Sequence, residues 1–301
     1  MDNIVSTECI NEKTRDIDLQ DSLGIVTLIN QEDMKVAIAI RQALPQIAEA
    51  VDIISDNFLK GGRLFYFGAG TSGRLGVLDA SECPPTFSTD PDMVQGIIAG
   101  GDIALRKAIE GAEDSTELAY EDFERLNISK NDTVVVISAS GNANYVVEIQ
   151  RLAKNVGATT VAVSSNINSK IGKASDCFIY TETGAEPVTG STRMKAGTAQ
   201  KMVLNMLTTA SMIRIGKVYK NYMIDVKPTN IKLKKRAVRF VSQIAQVDEI
   251  IAEQELVDSD FNLKKAVLKL KYNISSSEAD QLIKEFNGVL RKIFNYLDSK
   301  N

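Results

Sequence analysis

The 301-residue chain contains no histidine. This absence excludes the Ser-His-Asp and Cys-His nucleophile systems, and it excludes zinc sites that are built on imidazole ligands. Proton transfer near neutral pH must then come from glutamate, aspartate, lysine, tyrosine or cysteine side chains. Glutamates close to a bound substrate are therefore the leading candidates for acid and base catalysis.

Cysteines and long apolar runs are also scarce. The three cysteines, Cys9, Cys83 and Cys177, are far apart and form no Cys-x-x-Cys pair, so we expect neither a disulfide framework nor a zinc knuckle. No apolar run approaches the ~20 residues of a membrane span, and the N-terminus carries acids rather than a signal-like apolar core. These absences favour a cytoplasmic protein without membrane attachment.

The charge balance gives no sign of a nucleic-acid partner. The formal net charge is −4, and 44% hydrophobic with 25% charged residues is ordinary for a globular protein. Lysines are locally abundant in the C-terminal third, but acids are interspersed among them. Solvated helix faces are the expected arrangement there.

Short β-type runs alternate with helical patterns along the middle of the chain. The runs cover residues 64–67, 94–99, 133–138, 159–164 and 176–181. Segments between them, especially 102–126 and 142–156, have the composition of helices. This alternation predicts an α/β fold with a doubly wound, parallel five-stranded sheet flanked by helices. Ligands of such sheets bind at the carboxyl ends of the strands.

The remaining regions suggest a division into three segments. Residues 1–60 contain a polar arm and helical patterns, and we expect Pro45 to divide the second of these patterns. Residues 61–231 are predicted to form the α/β core with its candidate ligand-binding loops, and they include the longest helical pattern, 192–216. Residues 232–301 are predicted to form a small all-helical domain.

The first candidate phosphate site follows the first strand. The sequence Gly68-Ala69-Gly70-Thr71-Ser72-Gly73 lies between an apolar run and a helical pattern, so backbone N–H groups, a helix N-terminus and two hydroxyls can meet one anion. The spacing also fits a dinucleotide fingerprint. That alternative needs an acid at the end of the next strand, and Asp102 comes too late in the sequence. The chain has no Gly-x4-Gly-Lys-Ser/Thr loop, which excludes a P-loop nucleotide site.

Two further loops have a composition that attracts anions. The sequence Ser138-Ala139-Ser140-Gly141-Asn142 follows the third strand, where it either forms a second wall of the phosphate site or is an ordinary helix N-cap. The segment 186–195 opens the longest helical pattern, and it is either a capping segment or a third anion-binding loop. The three loops contain the predicted phosphate- and substrate-binding residues Gly70, Thr71, Ser72, Ser138, Ser140, Gly141, Glu186, Ser191, Thr192, Arg193 and Lys195.

Two glutamates are candidates for the chemistry. Glu82 precedes Pro84-Pro85, which we expect to hold the chain extended after a helix, and Glu113 lies in an acidic stretch between helices. Each glutamate on its own is also typical of a solvated loop. Two carboxyls in different environments can divide acid and base roles when burial raises the pKa of one of them.

Several long motifs resemble those of the N-acetylmuramic acid 6-phosphate etherases. They are residues 68–87, Ile98-Ala99-Gly100-Gly101, Glu110-Gly111-Ala112-Glu113-Asp114-Ser115 and residues 186–198. The resemblance extends from about residue 14 to residue 230 and weakens in the C-terminal helices. It implies a sugar-isomerase-type domain that forms a homodimer and uses neither a metal nor an organic cofactor.

The resemblance also implies a reaction in bacterial cell-wall sugar recycling. These enzymes cleave the D-lactyl ether of N-acetylmuramic acid 6-phosphate, giving N-acetylglucosamine 6-phosphate and D-lactate. A base removes the hydrogen at carbon 2 of the ring-opened aldehyde, lactate leaves carbon 3, and water adds across the double bond. By position in the motifs, Glu113 matches the base and Glu82 matches the acid that protonates lactate. Arg193 or Lys195 is a candidate partner of the lactyl carboxylate.

One departure and two alternatives accompany this resemblance. Residues 142–144 read Asn-Ala-Asn where many relatives carry an Arg-Thr-Pro-like turn, so these positions lack the positive charge and the hydroxyl of that turn. An isomerase of hexose 6-phosphates would share the fold and the phosphate loops. A non-catalytic sugar-phosphate-binding regulator would share them too, although such proteins usually carry two copies of the domain. For the etherase we predict a homodimer in which the N-terminal arm or the 186–195 segment reaches the partner's site.

Overall fold

The computed structural model describes residues 6–228 and 230–300, which form two compact units. The first unit contains the described residues up to Ser81 together with Asp92–Thr208, and the second contains Glu82–Pro91 and the described residues from Thr209 onward. The predicted division into segments 1–60, 61–231 and 232–301 stays a prediction. The helices are α1 (Ser22–Gln42), α2 (Leu44–Leu59), α3 (Gly70–Phe87), α4 (Gly101–Arg106), α5 (Thr116–Arg125), α6 (Asn144–Asn155), α7 (Lys170–Ala174), α8 (Lys195–Arg214), α9 (Ile231–Ala245), α10 (Glu249–Asp258), α11 (Leu263–Tyr272), α12 (Ser276–Glu285) and α13 (Leu290–Asp298).

The first unit is built on a five-stranded parallel sheet, as the sequence predicts. Its strands are β1 (Leu64–Gly68), β2 (Val94–Ile98), β3 (Thr133–Ile137), β4 (Thr159–Ser164) and β5 (Cys177–Tyr180). They lie in the order β2-β1-β3-β4-β5, and Leu64 on β1 is in register with both Val94 and Thr133. The strand order reverses between β1 and β3. The carboxyl ends of these two strands are therefore the expected ligand site.

The sheet is covered on both faces. Every residue of β1 and β3 is buried, which accounts for their continuous apolar sequences. On one face, Phe65 and Val134 belong to an apolar cluster that also contains Ile149 of α6. The hydroxyl of Tyr145 on α6 donates to Asp122 on α5 over 2.7 Å. This packing fixes the start of α6 close to the end of β3.

The N-terminal helices confirm that Pro45 divides a helical pattern, and they correct the prediction of which helix is the longest. Pro45 lies in the first turn of α2, and α1 ends at Gln42 just before it. Proline fits a first turn because its nitrogen needs no hydrogen-bond partner there. The pattern 192–216 was predicted to be the longest helix, which was wrong: α1 has 21 residues and α8 has 20.

The expectation for Pro84 and Pro85 was also wrong. Helix α3 continues through both prolines to Phe87. Proline has no backbone N–H, so Pro84 and Pro85 cannot donate hydrogen bonds to the carbonyls of Ala80 and Ser81. Both missing hydrogen bonds lie near the end of the helix. The helix ends where Ser88 adopts a φ of 48° and its N–H donates to the Pro84 carbonyl.

The predicted helical segment 102–126 is interrupted. Helix α4 ends at Arg106, a short 3-10 turn covers Ala112–Asp114, and α5 begins at Thr116. Gly111 has a φ of 73° before that turn, and the Ser115 side chain caps α5 by accepting from the Leu118 N–H. Glu113 therefore lies on a turn between two helices.

The N-terminal arm packs on its own chain. It forms 3-10 turns at Ser6–Glu8, Glu12–Thr14 and Ile17–Leu19. The Thr14 hydroxyl donates to the Pro187 carbonyl over 2.8 Å, and the Asn11 amide donates to the Ala185 carbonyl. The arm thus braces the segment that precedes α8.

The second unit is mainly helical, as predicted. A short antiparallel hairpin pairs β6 (Val218–Tyr219) with β7 (Tyr222–Met223), and helices α9 to α13 follow it. Their apolar core includes Val241, Val267 and Ile293. Over both units, no described helix is long and apolar enough to cross a membrane.

Candidate active site

The glycine-rich turn joins β1 to α3 at very close range. A side-chain Cβ at Gly73 would lie 2.5 Å from the Gly68 carbonyl oxygen and 2.6 Å from Ile98. Gly70, the first residue of α3, has a φ of 53°, which favours glycine. These features turn the chain sharply, so that the first N–H groups of α3 lie beside the end of β1.

Gly73→Ala is expected to destabilise the protein. The added methyl group collides with backbone and with a buried side chain, so we expect a loss of about 2 kcal/mol in the free energy of unfolding. Chemical denaturation monitored by circular dichroism measures this loss. Gly197→Ala is the matched control, because its Cβ would lie 3.4 Å from the nearest atom. Equal stability of both variants would contradict the close approach.

The loop after β3 uses its hydroxyls within the turn rather than as a helix cap. The Ser138 Oγ accepts from the Gly141 N–H over 3.0 Å, and the Ser140 Oγ accepts from the Asn142 N–H. The N-cap of α6 is Ala143, which supplies no side-chain hydrogen bond. The N-cap alternative was therefore wrong. The start of α6, beside the cavity described next, therefore has no side-chain cap from its N-cap residue.

A cavity of about 360 Å³ lies where these two loops meet. It is lined by Glu8, Ala69, Gly70, Thr71, Ser72, Glu113, Ser138, Ala139, Ser140, Ala143 and Thr192. The lining contains residues that follow β1 and β3, so the cavity occupies the point where the strand order reverses. Two helix N-termini and several hydroxyls converge on it, an arrangement suited to a phosphate group.

Two carboxylates also line this cavity. Glu113 was predicted from the sequence, and it lines a neighbouring cavity of about 390 Å³ as well, beside Arg74 and Glu110. Glu8 was not predicted, because it lies on a short turn far from the motifs in sequence and no local pattern marks it. Within residues 6–228 and 230–300, no group of three or more Cys, Asp or Glu side chains is arranged to hold a metal ion.

Glu186 has a structural role that differs from the expectation of substrate binding. Its two carboxylate oxygens accept from the backbone N–H groups of Lys195 and Ala196 over 2.8 and 2.9 Å. The protein's own carboxylate thus satisfies the N-terminus of α8. Burial raises the pKa of Glu186, while the two backbone N–H groups oppose that shift. This contact agrees with the alternative of a capping segment, and a role of Glu186 in substrate binding stays a prediction.

Lys195 forms a buried ion pair within the chain, and its predicted role as an anion ligand stays a prediction. Its ammonium group donates to Glu32 of α1 over 2.8 Å, and both side chains are only 2% exposed. Lys35 also pairs with Glu32. Desolvation alone would raise the pKa of Glu32, but hydrogen bonds from Lys195 and Lys35 lower it to about 2. The lysine therefore anchors the start of α8 to α1.

The other predicted residues divide between the cavity and its surroundings. Gly70, Thr71, Ser72, Ser138, Ser140, Thr192 and Glu113 line the cavity. Gly141 lies inside the second loop as a backbone donor. Ser191 and the exposed Arg193 are not among the lining residues, and Glu82 is an exposed residue of the second unit. The pairing of Glu82 with Glu113 stays a prediction.

Comparison with known proteins bears on this site directly. A model described as "SIS domain" matches residues 111–210, and one described as "Glucokinase regulatory protein N-terminal SIS domain" matches residues 46–153. A protein of Lactiplantibacillus plantarum named N-acetylmuramic acid 6-phosphate etherase 2 is 49% identical over 97% of this chain and 98% of its own length. The chain belongs to the N-acetylmuramic acid 6-phosphate etherase family. Other members have similar identity: 52% in Vibrio atlanticus, covering 94% of this chain and 92% of the relative, and 47% in Bacillus subtilis, covering 96% and 95%.

Membership of the etherase family agrees with the fold of the chain. The parallel sheet and the loops after β1 and β3 fall within the matched SIS regions. The etherase relatives match both units of the chain, since they cover almost its whole length. The sugar-isomerase type of fold predicted from the motifs is therefore confirmed.

Proposed function

We propose that this chain is an N-acetylmuramic acid 6-phosphate etherase that releases D-lactate and N-acetylglucosamine 6-phosphate, a step of bacterial cell-wall sugar recycling. The observation that carries the proposal is the cavity at the β1–β3 reversal, which combines a phosphate-type cradle with the carboxylate of Glu113. The near-full-length etherase relatives support the same reaction.

The phosphoryl group would lie against the N-termini of α3 and α6. Thr71, Ser138 and Ser140 offer hydroxyl donors there, and Ser138 and Ser140 already accept backbone N–H groups, which leaves their hydrogens available. Because the helix N-termini carry partial positive charge, a dianion is bound without a lysine or arginine in the lining. Thr192 closes the cavity on the side of the segment before α8.

The acid–base chemistry is assigned to two glutamates. In the open-chain sugar, the aldehyde acidifies the hydrogen at carbon 2, and Glu113 removes it from its place on the cavity wall. Lactate then leaves carbon 3 as Glu82 protonates its oxygen, and water adds across the double bond. The carboxylate of Glu8 can accept a hydrogen bond from a sugar hydroxyl, which also fixes the orientation of the open-chain sugar.

The proposal also includes an oligomeric state and a location: the protein forms a homodimer with a shared active site, and it is cytoplasmic. Helix α1 offers an apolar surface for association with a second copy. Four apolar side chains on this helix are between 56% and 72% exposed: Leu23, Val26, Met34 and Ile38. These residues fall on one side of the helix by their spacing. The N-terminal arm and the 186–195 segment are the candidates to reach the partner's site. A fully active monomer in analytical ultracentrifugation would contradict this assembly.

The decisive assay is D-lactate release from N-acetylmuramic acid 6-phosphate. We expect one D-lactate for each sugar consumed, detected with a D-lactate dehydrogenase, and no product from the unphosphorylated sugar. Interconversion of hexose 6-phosphates without D-lactate release would identify an isomerase. Tight binding of a sugar phosphate without any turnover would identify a regulator.

A further inference from the structure

Ser72, a hydroxyl of the phosphate cradle, has a buried partner on α8. Its Oγ donates to the Gln200 Oε1 over 2.9 Å, and Gln200 is only 1% exposed. The two helices are closely packed here, since a Cβ at Gly197 would lie 3.4 Å from the Thr71 side chain. In this arrangement the only hydroxyl hydrogen of Ser72 is engaged away from the cavity.

In this contact the Oε1 of Gln200 has a hydrogen-bond partner, but the Nε2 has none in the described part of the chain. Its Nε2 is buried and meets no acceptor among residues 6–228 and 230–300. A buried N–H group without an acceptor is rare and unfavourable, whereas an unpaired carbonyl oxygen is tolerated better. Rotating the amide by about 180° exchanges its oxygen and nitrogen. The Nε2 would then donate to the Ser72 Oγ.

The two amide orientations differ in what Ser72 offers to a ligand. A phosphate dianion carries no hydrogen and only accepts hydrogen bonds. With the Gln200 Oε1 facing Ser72, the Ser72 hydroxyl presents only lone pairs to the cavity, which repel such an anion. In the rotated orientation Ser72 accepts from Gln200, and its hydrogen becomes free to donate to a phosphoryl oxygen.

We propose that Gln200 is a positioning residue of the phosphate site: its amide donates through Nε2 to the Ser72 Oγ, which directs the Ser72 hydroxyl hydrogen to a phosphoryl oxygen. The inference rests on the proposed function, because it takes the ligand to be a sugar phosphate. Gln200 touches no reacting atom and acts only through Ser72. Its removal must therefore change binding of the phosphate ester rather than the chemical step.

Four variants test the proposal: Gln200→Glu, Ser72→Ala, the double variant, and Gln150→Glu as a control. Gln150 is also a buried glutamine, but its amide donates to the Ile171 carbonyl. Titration calorimetry at pH 8 measures the Kd of N-acetylglucosamine 6-phosphate, and D-lactate release gives KM and kcat. An ionised carboxyl at position 200 only accepts, so it holds the Ser72 hydrogen away from the phosphate.

We expect Gln200→Glu to raise Kd and KM about tenfold and to change kcat less than about threefold. In the Ser72→Ala background the same change should have no further effect. Lowering the pH should restore binding in Gln200→Glu, because the protonated carboxyl can donate to Ser72. Gln150→Glu should leave Kd unchanged.

An unchanged Kd, or effects that add in the double variant, would overturn the proposal. If Gln200→Glu does not fold, Gln200→Met takes its place, with a Kd rise of about threefold expected only when Ser72 is present. The calorimetry does not depend on turnover. If the wild type binds the phosphate ester but releases no D-lactate, the proposed function fails, and the Kd values still decide the role of Gln200.

Discussion

Glu113→Gln is expected to lower kcat for D-lactate release by about 10³-fold, because the amide cannot accept the hydrogen from carbon 2 of the sugar. Glu113 is exposed on its turn and lines the cavity. The free energy of unfolding should therefore change by less than ~0.5 kcal/mol. KM should change little, since the phosphate cradle is intact. Steady-state kinetics and chemical denaturation measure these quantities.

Glu117→Gln is the matched control for this prediction. Glu117 lies four positions further along, in the first turn of α5, where it accepts from the Ser115 hydroxyl. It is exposed and lies outside the cavity lining. Its variant should keep the wild-type kcat. An equal loss in both variants, or full activity of Glu113→Gln, would remove Glu113 from the role of base.

The proposed acid role of Glu82 can be separated from the base role. In deuterated water, a variant that keeps the base exchanges the hydrogen at carbon 2 even when lactate does not leave. Glu82→Gln should therefore lose most D-lactate release and keep this exchange, whereas Glu113→Gln should lose both. Nuclear magnetic resonance of the recovered substrate distinguishes the two. Loss of exchange in Glu82→Gln would contradict the division of roles.

Glu32→Gln is expected to cost about 4 kcal/mol of stability, because it leaves the ammonium of Lys195 buried without its charge partner. The melting temperature should fall by about 10 °C for a chain of this size. The matched control is Glu12→Gln, since the pair of Glu12 with Arg15 is exposed. That control should keep a free energy of unfolding close to the wild-type value, because exposed ion pairs contribute little. An equal loss of stability in both variants would show that the buried ion pair contributes no more to stability than the exposed one.

The same ion pair predicts a dependence of stability on pH. The pKa of Glu32 is about 2 in the folded protein, against an ordinary value of 4.5. A carboxyl whose pKa is lowered by folding stabilises the protein fully above its unfolded pKa. The contribution is then lost as the pH falls from about 4.5 to about 2. Glu32→Gln should show a shallower loss of stability than the wild type over this range.

Much of the fold follows from the sequence because its signals are local. Continuous apolar runs of β-branched and aromatic residues located all five strands to within a residue or two. The glycine turn after β1 is equally local, since Gly68 and Gly73 meet within a few residues. The sequence could place Thr71 and Ser138 together because parallel strand ends share one edge of the sheet.

The remaining features depend on contacts between distant residues. No local pattern shows that Glu32, 163 positions before Lys195, lies beside the Lys195 ammonium. No local pattern shows either that the Glu186 carboxylate accepts from the first N–H groups of α8. Glu8 has no local signal at all. Pro84 and Pro85 were expected to follow the helix, but α3 continues through both of them to Phe87.

The most direct test of the elimination mechanism is the fate of solvent isotopes during turnover of N-acetylmuramic acid 6-phosphate. In water labelled with oxygen-18, elimination followed by hydration places the label on carbon 3 of the sugar and none in the lactate hydroxyl. In deuterated water, it places deuterium at carbon 2. Label in the lactate hydroxyl, or retention of the original hydrogen at carbon 2, would contradict an elimination started by Glu113.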